Sequence, residues 1–409
     1  MFGAFWEILR ASVITCFHTM PGVAYSSADR LRTGGRELLA EALRSTRART
    51  LEQLDAFVAV LGESLVVPYS PHLNPPLWEL GHVGWFQDFW IARNCQRERG
   101  IACDSGHVRP AGRLPGADAL YNSSLVAHSS RWQLPLPDIA QTRAYLDQGL
   151  AETLERLSQL PSSAESPESR AALYFYRLAL FHEDMHGEAA VYMARALDIP
   201  LPGKTAPHAP QPSGALRFPA ARRVLGYNGE GFAFDNELGA HDVTVPTFEI
   251  DTGVVTWERY LPFIAANSHP PPRHLRQDGS TWQQRVFGCW RELAPDTPAV
   301  HLSWHDADAW CRWAGRRLPR EDEWEYAALT NPEFAWGAVW EWTSSRFLPY
   351  PGFRPHPYVD YSAPWFGDCH VLRGAGPATS PYMVHPCYRN FFTPERNDIY
   401  AGFRSCSLN

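Results

Sequence analysis

The chain has 409 residues, 45% hydrophobic and 20% charged, the values of a soluble globular protein too long for one ordinary core. A net charge of −7 with no Lys/Arg run argues against nucleic-acid binding, and no apolar run reaches the roughly 18 residues of a membrane span. Sixteen Trp, 16 Tyr, 21 Phe and 35 Pro suit a loop-rich fold pinned by large rings, some of them left to line a pocket.

The opening residues, "MFGAFWEILRASVITCFHTM", are interrupted by Glu7, Arg10 and His18. They have no basic n-region or cleavage site, which argues against a signal peptide and leaves Met1 or Met20 as the start. Eight scattered cysteines, none in a CxxC pair, read as reduced thiols and place the chain in the cytoplasm.

Residues 28–200 read as helical. In "ADRLRTGGRELLAEALRSTRARTLEQLDAFVAVLG" the apolar residues recur at mixed three- and four-residue spacings. "PPLWELGHVGWFQDFWIARNCQ" follows, with Pro76 in its first turn. "DIAQTRAYLDQGLAETLERLSQL" has Asp138 as N-cap, and "SPESRAALYFYRLALFHEDMHGEAAVYMARALDI" opens on Ser166-Pro167. Four amphipathic helices, with one long connection near 100–137, predict a four-helix bundle. A proline-rich linker over 201–215 has nothing to bury. From 216 to 409, short β-like stretches alternate with Gly/Pro turns and Trp-rich loops, with one clear helix at "SWHDADAWCRWAG"; the fold class is therefore α+β.

The last bundle helix carries His-Glu-x-x-His. His182 and His186 lie one turn apart on one face and can share a metal ion. A metzincin would need Gly and His where Ala189 and Tyr192 stand, and the other common zincin needs a Glu that is absent between Glu188 and Glu230. Peptide hydrolysis is therefore disfavoured, and Glu183 reads as a carboxylate near the ligands or on the surface. A lone His82 in "WELGHVGWF" would read as a core histidine. Two inward-facing histidines on another bundle helix make it the third ligand, because facing helices assemble metals in bundle cores. Donor softness alone permits Zn(II) or Fe(II).

With those residues in view, the N-terminal half resembles DinB-type bundles with a three-His metal site. The C-terminal half resembles the formylglycine-generating-enzyme (sulfatase-modifying-factor) domain, itself similar to lectin-like folds. The resemblance rests on "PAVHLSWHDADAWCRWAGRRLPREDEWEYAA", "GAVWEWTSS", "VLRGAG" and "YRNFFTPERNDIYAGFRSC" in that order. Formylglycine formation itself is disfavoured, since Cys387 and Cys406 are not a close pair. The two halves together are similar to the ergothioneine-type synthases, non-haem iron enzymes that use O2 to join sulfur or selenium to C2 of the hercynine imidazole. The resemblance implies Fe(II) on His82, His182 and His186, and a proton-donating tyrosine at Tyr358 or Tyr361 of "HPYVDYSAPWFGD". It also implies substrate contacts at Asn390 and Arg396. Phe391 and Phe392 beside them either face the trimethylammonium of hercynine or are core.

Members that use γ-glutamylcysteine carry a basic "RGLL"-like motif, a glutamine before the last ligand histidine and an aspartate after "RN". Here "ALYNSSLVAHSSRWQLPLPD", Met185 and Phe392 stand in those places. Losing these charged grips fits a neutral sugar donor. "LNPPLWELGHVGWF" and "YNSSLVAHSSRW" resemble the selenoneine-forming branch, which couples hercynine to a selenosugar; there Arg131 and Trp132 would serve the sugar. A thiol donor such as a thiosugar, a zinc-dependent thiol S-transferase and a non-catalytic binding module remain as alternatives. The "RLPREDEWEYAA" block reads as scaffold with its Arg and Glu paired within the fold.

Overall fold

A computed structural model of the chain describes residues 21–202 and 209–408; the candidate starts Met1 and Met20, Cys16 and part of the proline-rich linker lie outside the described residues. The N-terminal half holds helices α1 (Pro21–Thr33), α2 (Arg36–Leu61), α3 (Pro76–Gln87), α4 (Ala117–Tyr121), α5 (Ile139–Ser158) and α6 (Pro167–Ala196). The predicted first helix is in fact two. A Cβ at Gly35 would lie 1.9 Å from the Ser162 carbonyl oxygen, so the chain breaks where the α5–α6 connection crosses it.

Helices α2, α3, α5 and α6 form the bundle. On α2 the stripe Leu39, Leu43, Leu54 and Phe57 faces the core. Polar residues within that stripe turn to α6: Arg47 Nε donates to Glu183 Oε1 (2.8 Å) and Thr46 Oγ1 to Asp184 Oδ1 (3.0 Å). Helix α3 starts on Pro76 and is buried over almost its whole surface, which fits its load of Trp78, Val83, Trp85 and Phe86. It runs into a π-helical turn, Asp88–Ala92, that brings Trp90 flat against Phe175 at 5.2 Å. Asp138 closes a capping box with Gln141 on α5, and Ser166 caps α6 ahead of Pro167, both as the sequence predicts. Among the described residues no helix is long and apolar enough to cross a membrane.

The C-terminal half mixes helices and small sheets. One four-stranded sheet has the order Ala215–Phe218, Phe248–Asp251, Cys406–Ser407, Arg316–Arg317. A second runs Asn390–Phe392, His370–Gly374, Trp340–Arg346, Ala401–Gly402, with the last pair parallel. The predicted helix is α8 (Trp304–Trp313), and two more flank it in sequence, α7 (Trp257–Asn267) and α9 (Glu321–Thr330). Helix α9 lies within the charged "RLPREDEWEYAA" block. Its acids face inward to arginines: Glu321 takes Arg389 (2.9 and 3.0 Å) and Glu325 takes Arg373, both from distant segments, while Glu323 takes Arg317 of the same block (2.8 Å). Arg404 closes on Glu341 (2.7 Å), which also accepts from the Trp324 indole (2.8 Å). The arginines of "VLRGAG", "YRNFF" and "GFRSC" are thus buried struts.

Side chains cross between the halves. Arg32 on α1 forms a two-pronged ion pair with Glu237 (2.7 and 2.9 Å), and Trp340 Nε1 donates to Glu188 on α6 (2.6 Å). Tyr174 Oη meets His356 Nδ1 at 3.0 Å, and Tyr388 Oη donates to the Met185 sulfur at 3.7 Å. The ligand-bearing helix α6 is therefore the wall shared by both halves.

Candidate metal centre

His82, from the middle of α3, and His182 and His186, one turn apart on α6, present ring nitrogens that all lie within 4.8 Å of one another. Their ring centroids are 4.4 to 5.0 Å apart, and the Nε2 atoms of His182 and His186 are separated by 3.2 Å. Two ligands at about 2.1 Å from one ion would span such an edge at an angle of about 100°, which suits tetrahedral or octahedral coordination.

Two of the three outer nitrogens, those of His82 and His186, are held in a manner that turns Nε2 inward, whereas His182 Nδ1 is buried without a hydrogen-bond partner among the described residues. His82 Nδ1–H donates to the Tyr121 carbonyl at 2.7 Å, and His186 Nδ1–H to Glu79 Oε2. Such partners fix both tautomer and ring direction in metal sites. Phe86 stacks on His182 at 3.5 Å with the planes 5° apart, and Trp78 stacks on His82 at 4.8 Å. Burial pushes His82 down to about 3 and His182 well below the ordinary imidazole range, with the neighbouring His186 adding to both shifts. Although burial opposes it, His186 together with Asn74 holds the Glu79 carboxyl down to about 2. His82 and His182 are thus held neutral beside His186 and the Glu79 carboxylate anion, a donor set that fits a divalent cation. A small cleft lined by Leu54, Phe57, Leu80, Val83, Ala190 and Met193 reaches His186 from the bundle side.

The second half contributes Tyr358. Its ring stands edge-on to Phe86 (5.0 Å) and to His182 (6.1 Å). Tyr361 lies behind it, stacked on Phe234 (4.4 Å), and its Oη meets Tyr388 Oη at 3.0 Å. Burial raises the phenols of both Tyr358 and Tyr361 far above their ordinary value. Asn390, Phe391 and Phe392 form an edge strand paired with His370–Gly374. All three are half-buried: Phe391 stacks on Phe347 at 4.0 Å, and Phe392, on the opposite side of the strand with Asn390, packs against the main core. Arg396 covers the Phe392 ring (4.7 Å) and pairs with Asp398 (2.6 and 3.1 Å).

Two expectations need correction. Arg131 does not face an open donor pocket: it is 9% exposed, with donors on Asn74 Oδ1 (2.7 Å) and the Val126 carbonyl (3.2 Å). Glu183 is not on the surface: it is a buried partner of Arg47 and Thr50 and lines the same cleft as His186. Trp132 is half-buried, packed with Tyr69 (4.9 Å) and donating to the Val67 carbonyl (3.1 Å). The sequence reading missed Glu79, Asn74 and the Tyr121 carbonyl. Glu79 precedes His82 by three residues on the same helix, so helical spacing offered a signal for it; Asn74, in a connection, and Tyr121, at the end of the short helix α4, offered none.

Comparison with known proteins accords with this geometry. Residues 42–190 match the DinB superfamily and residues 208–338 the Sulfatase-modifying factor enzyme 1-like domain, so the chain is a DinB-type bundle joined to a formylglycine-generating-enzyme-like half. It is 28% identical over 282 residues to a formylglycine-generating enzyme of Streptomyces coelicolor, covering 47% of this chain and 88% of that protein. Hercynine oxygenases cover far more. That of Mycolicibacterium smegmatis is 30% identical over 448 residues, spanning 90% of this chain and 98% of the relative. The enzyme of Mycobacterium tuberculosis is 30% identical over 441 residues, with the same coverage. The chain belongs to the hercynine oxygenase family.

Proposed function

We propose that the chain is an Fe(II)- and O2-dependent oxidoreductase that joins C2 of the hercynine imidazole to the selenium of a selenosugar, forming a selenoxide on the way to selenoneine. The observation that carries this reading is the three-histidine group, with the His82 and His186 rings set Nε2-inward by Tyr121 and Glu79, in a member of the hercynine oxygenase family. The reaction balances without a further reductant. Hercynine C2–H, a selenol and one O2 give the C–Se bond, one oxygen on selenium and one water. Bond formation and selenium oxidation each release two electrons, and O2 takes all four. An iron(II) held by His82, His182 and His186 would supply the one-electron chemistry that ground-state O2 needs.

The chain's own residues do the rest. Tyr358 keeps its proton on Oη because burial raises its phenol, and it can pass that proton to the negative charge that builds on oxygen as O2 is reduced. Buried Phe86 and Trp90 exclude water from the histidines, and half-buried Tyr358 offers an aromatic ring to the trimethylammonium of hercynine. Half-buried Asn390 and Phe392 are assigned to substrate contact, with Tyr361 supporting Tyr358. The neutral donor is supported by what is missing as well as by what is occupied. No "RGLL"-like motif is present, Met185 and Phe392 replace the family's glutamine and aspartate, and Arg396 is already matched to Asp398. Half-buried Trp132 with Tyr69 is left as a surface on which a sugar can stack. The seven described cysteines are all free, which fits a reducing, cytoplasmic setting.

The test is a mass-spectrometric competition in which Fe(II)-loaded protein meets hercynine, a selenosugar, a thiosugar and γ-glutamylcysteine together, first without and then with air. The selenosugar adduct should dominate and require air. Dominant γ-glutamylcysteine use would replace selenium by sulfur and leave the metal reading in place. Turnover with zinc and without O2 uptake would favour a thiol S-transferase, and full activity in His182→Ala would remove the metal centre altogether.

A further inference from the structure

We propose that Arg131 is a positioning residue of the metal centre, the common anchor of two of its three imidazoles; the proposal rests on the metal reading above. Arg131 comes from the long connection between α4 and α5, in the segment "YNSSLVAHSSRW", and reaches two ligands by different physical routes.

The first route is a chain of hydrogen bonds. Arg131 Nη1 donates to Asn74 Oδ1 at 2.7 Å, Asn74 Nδ2 donates to Glu79 Oε1 at 2.7 Å, and Glu79 Oε2 accepts from His186 Nδ1. A donor-only guanidinium on one side and an acceptor-only carboxylate on the other leave the Asn74 amide a single orientation. That orientation holds one carboxylate oxygen of Glu79, and so sets the direction of the other towards His186. The second route is a stack. The Arg131 guanidinium lies 3.9 Å from the Trp78 ring centre, and Trp78 lies parallel to His82 at 4.8 Å with the planes 9° apart. The indole is pinned at its edge by Nε1 donating to the Leu120 carbonyl at 2.8 Å, one residue before the Tyr121 carbonyl that takes the His82 proton.

One planar cation therefore closes both routes. Lysine could supply the charge but not a plane that stacks on Trp78 while one arm reaches Asn74 and the other the Val126 carbonyl (3.2 Å). Groups that hold metal-binding histidines by their outer nitrogen commonly change metal affinity by about 10- to 100-fold when removed. Arg131 acts two hydrogen bonds further out on His186, and through one stacked ring on His82, but on two ligands at once.

The experiment titrates Co(II) into the full-length apoprotein and follows the d–d absorption, in parallel with donor KM for the Fe(II)-loaded protein. Arg131→Met should weaken Co(II) binding by about tenfold or more and change the band shape, with donor KM at saturating metal unchanged. Arg131→Lys should recover part of the affinity. Asn74→Leu, which leaves Arg131 in place, should reproduce the loss, and it carries the test alone should Arg131→Met fail to fold by circular dichroism. Wild-type Co(II) affinity and spectrum in a folded Arg131→Met, or in Asn74→Leu, would overturn the proposal, as would a raised donor KM with metal binding intact. Wild-type protein that binds no Co(II) would overturn the metal reading itself, an outcome distinct from all of these.

Discussion

At the scale of single residues, Tyr358 and Tyr361 separate two roles that their sequence spacing joins. Tyr358 approaches Phe86 and His182, whereas Tyr361 is turned back to Phe234 and shares its hydroxyl with Tyr388. Tyr358→Phe deletes one oxygen and leaves the ring contacts, so stability and Co(II) affinity should hold while kcat falls about a hundredfold or more. Tyr361→Phe should lose about 1 kcal/mol of stability from the broken hydroxyl pair and change kcat much less. Steady-state rates beside urea unfolding curves decide the assignment, and the reverse pattern would make Tyr361 the donor.

At the scale of elements, α3 explains both what the sequence made legible and what it hid. His82 could be inferred because it breaks an apolar helix and because another helix already carried a His pair. Helix caps at Asp138 and Ser166 were equally plain, being local chemistry. Arg131 was misread because its partners, Asn74 and Trp78, lie more than fifty residues earlier in the chain, and no spacing encodes that meeting. Helix α9 was hidden for a similar reason. The block reads as scaffold with its charges paired within the fold, as Arg317 and Glu323 are, but the partners of Glu321 and Glu325 are Arg389 and Arg373, far along the chain. Helix α7 carries Pro262 inside it, which weakens any helical reading.

Glycine within α3 is the other hidden feature. Gly81 costs the helix about 1 kcal/mol relative to alanine, yet a Cβ there would lie 2.2 Å from the Tyr121 ring. The close approach is what sets the Tyr121 carbonyl against His82. Gly81→Ala should therefore destabilise the fold by about 1–3 kcal/mol through overpacking, despite alanine's better helix propensity, and should also weaken Co(II) binding. Asp138→Ala on α5 serves as the comparison: it should lose about 1 kcal/mol from the broken cap and leave metal affinity unchanged. Equal metal affinity in both variants would mean that the Tyr121 carbonyl is not what orients His82.

At the scale of the whole molecule, the candidate site draws on both halves: His82, His182 and His186 come from α3 and α6, and Tyr358, whose ring meets Phe86 and His182, comes from beyond the linker. The contacts that join them should then be stability determinants for the entire chain. Arg32 and Glu237 are the clearest case, a fully buried pair with N–O distances of 2.7 and 2.9 Å. Glu237 also accepts from the Phe234 backbone N–H (3.2 Å), so removing Arg32 strands a carboxylate that cannot turn to water. Arg32→Met should lose about 3–5 kcal/mol, because a buried charge is left without its partner. Glu237→Gln keeps the backbone contact and removes the charge, so the double variant should be less destabilised than the sum of the two singles. Added salt should change the pair's contribution little, since burial shields it from screening. Urea unfolding followed by far-ultraviolet circular dichroism should give one transition for the wild type, shifted as a whole in Arg32→Met. Two separate transitions, with the helical one unmoved by the substitution, would show that the pair is a local clip on α1 and that the halves reach the metal centre as independently folding bodies.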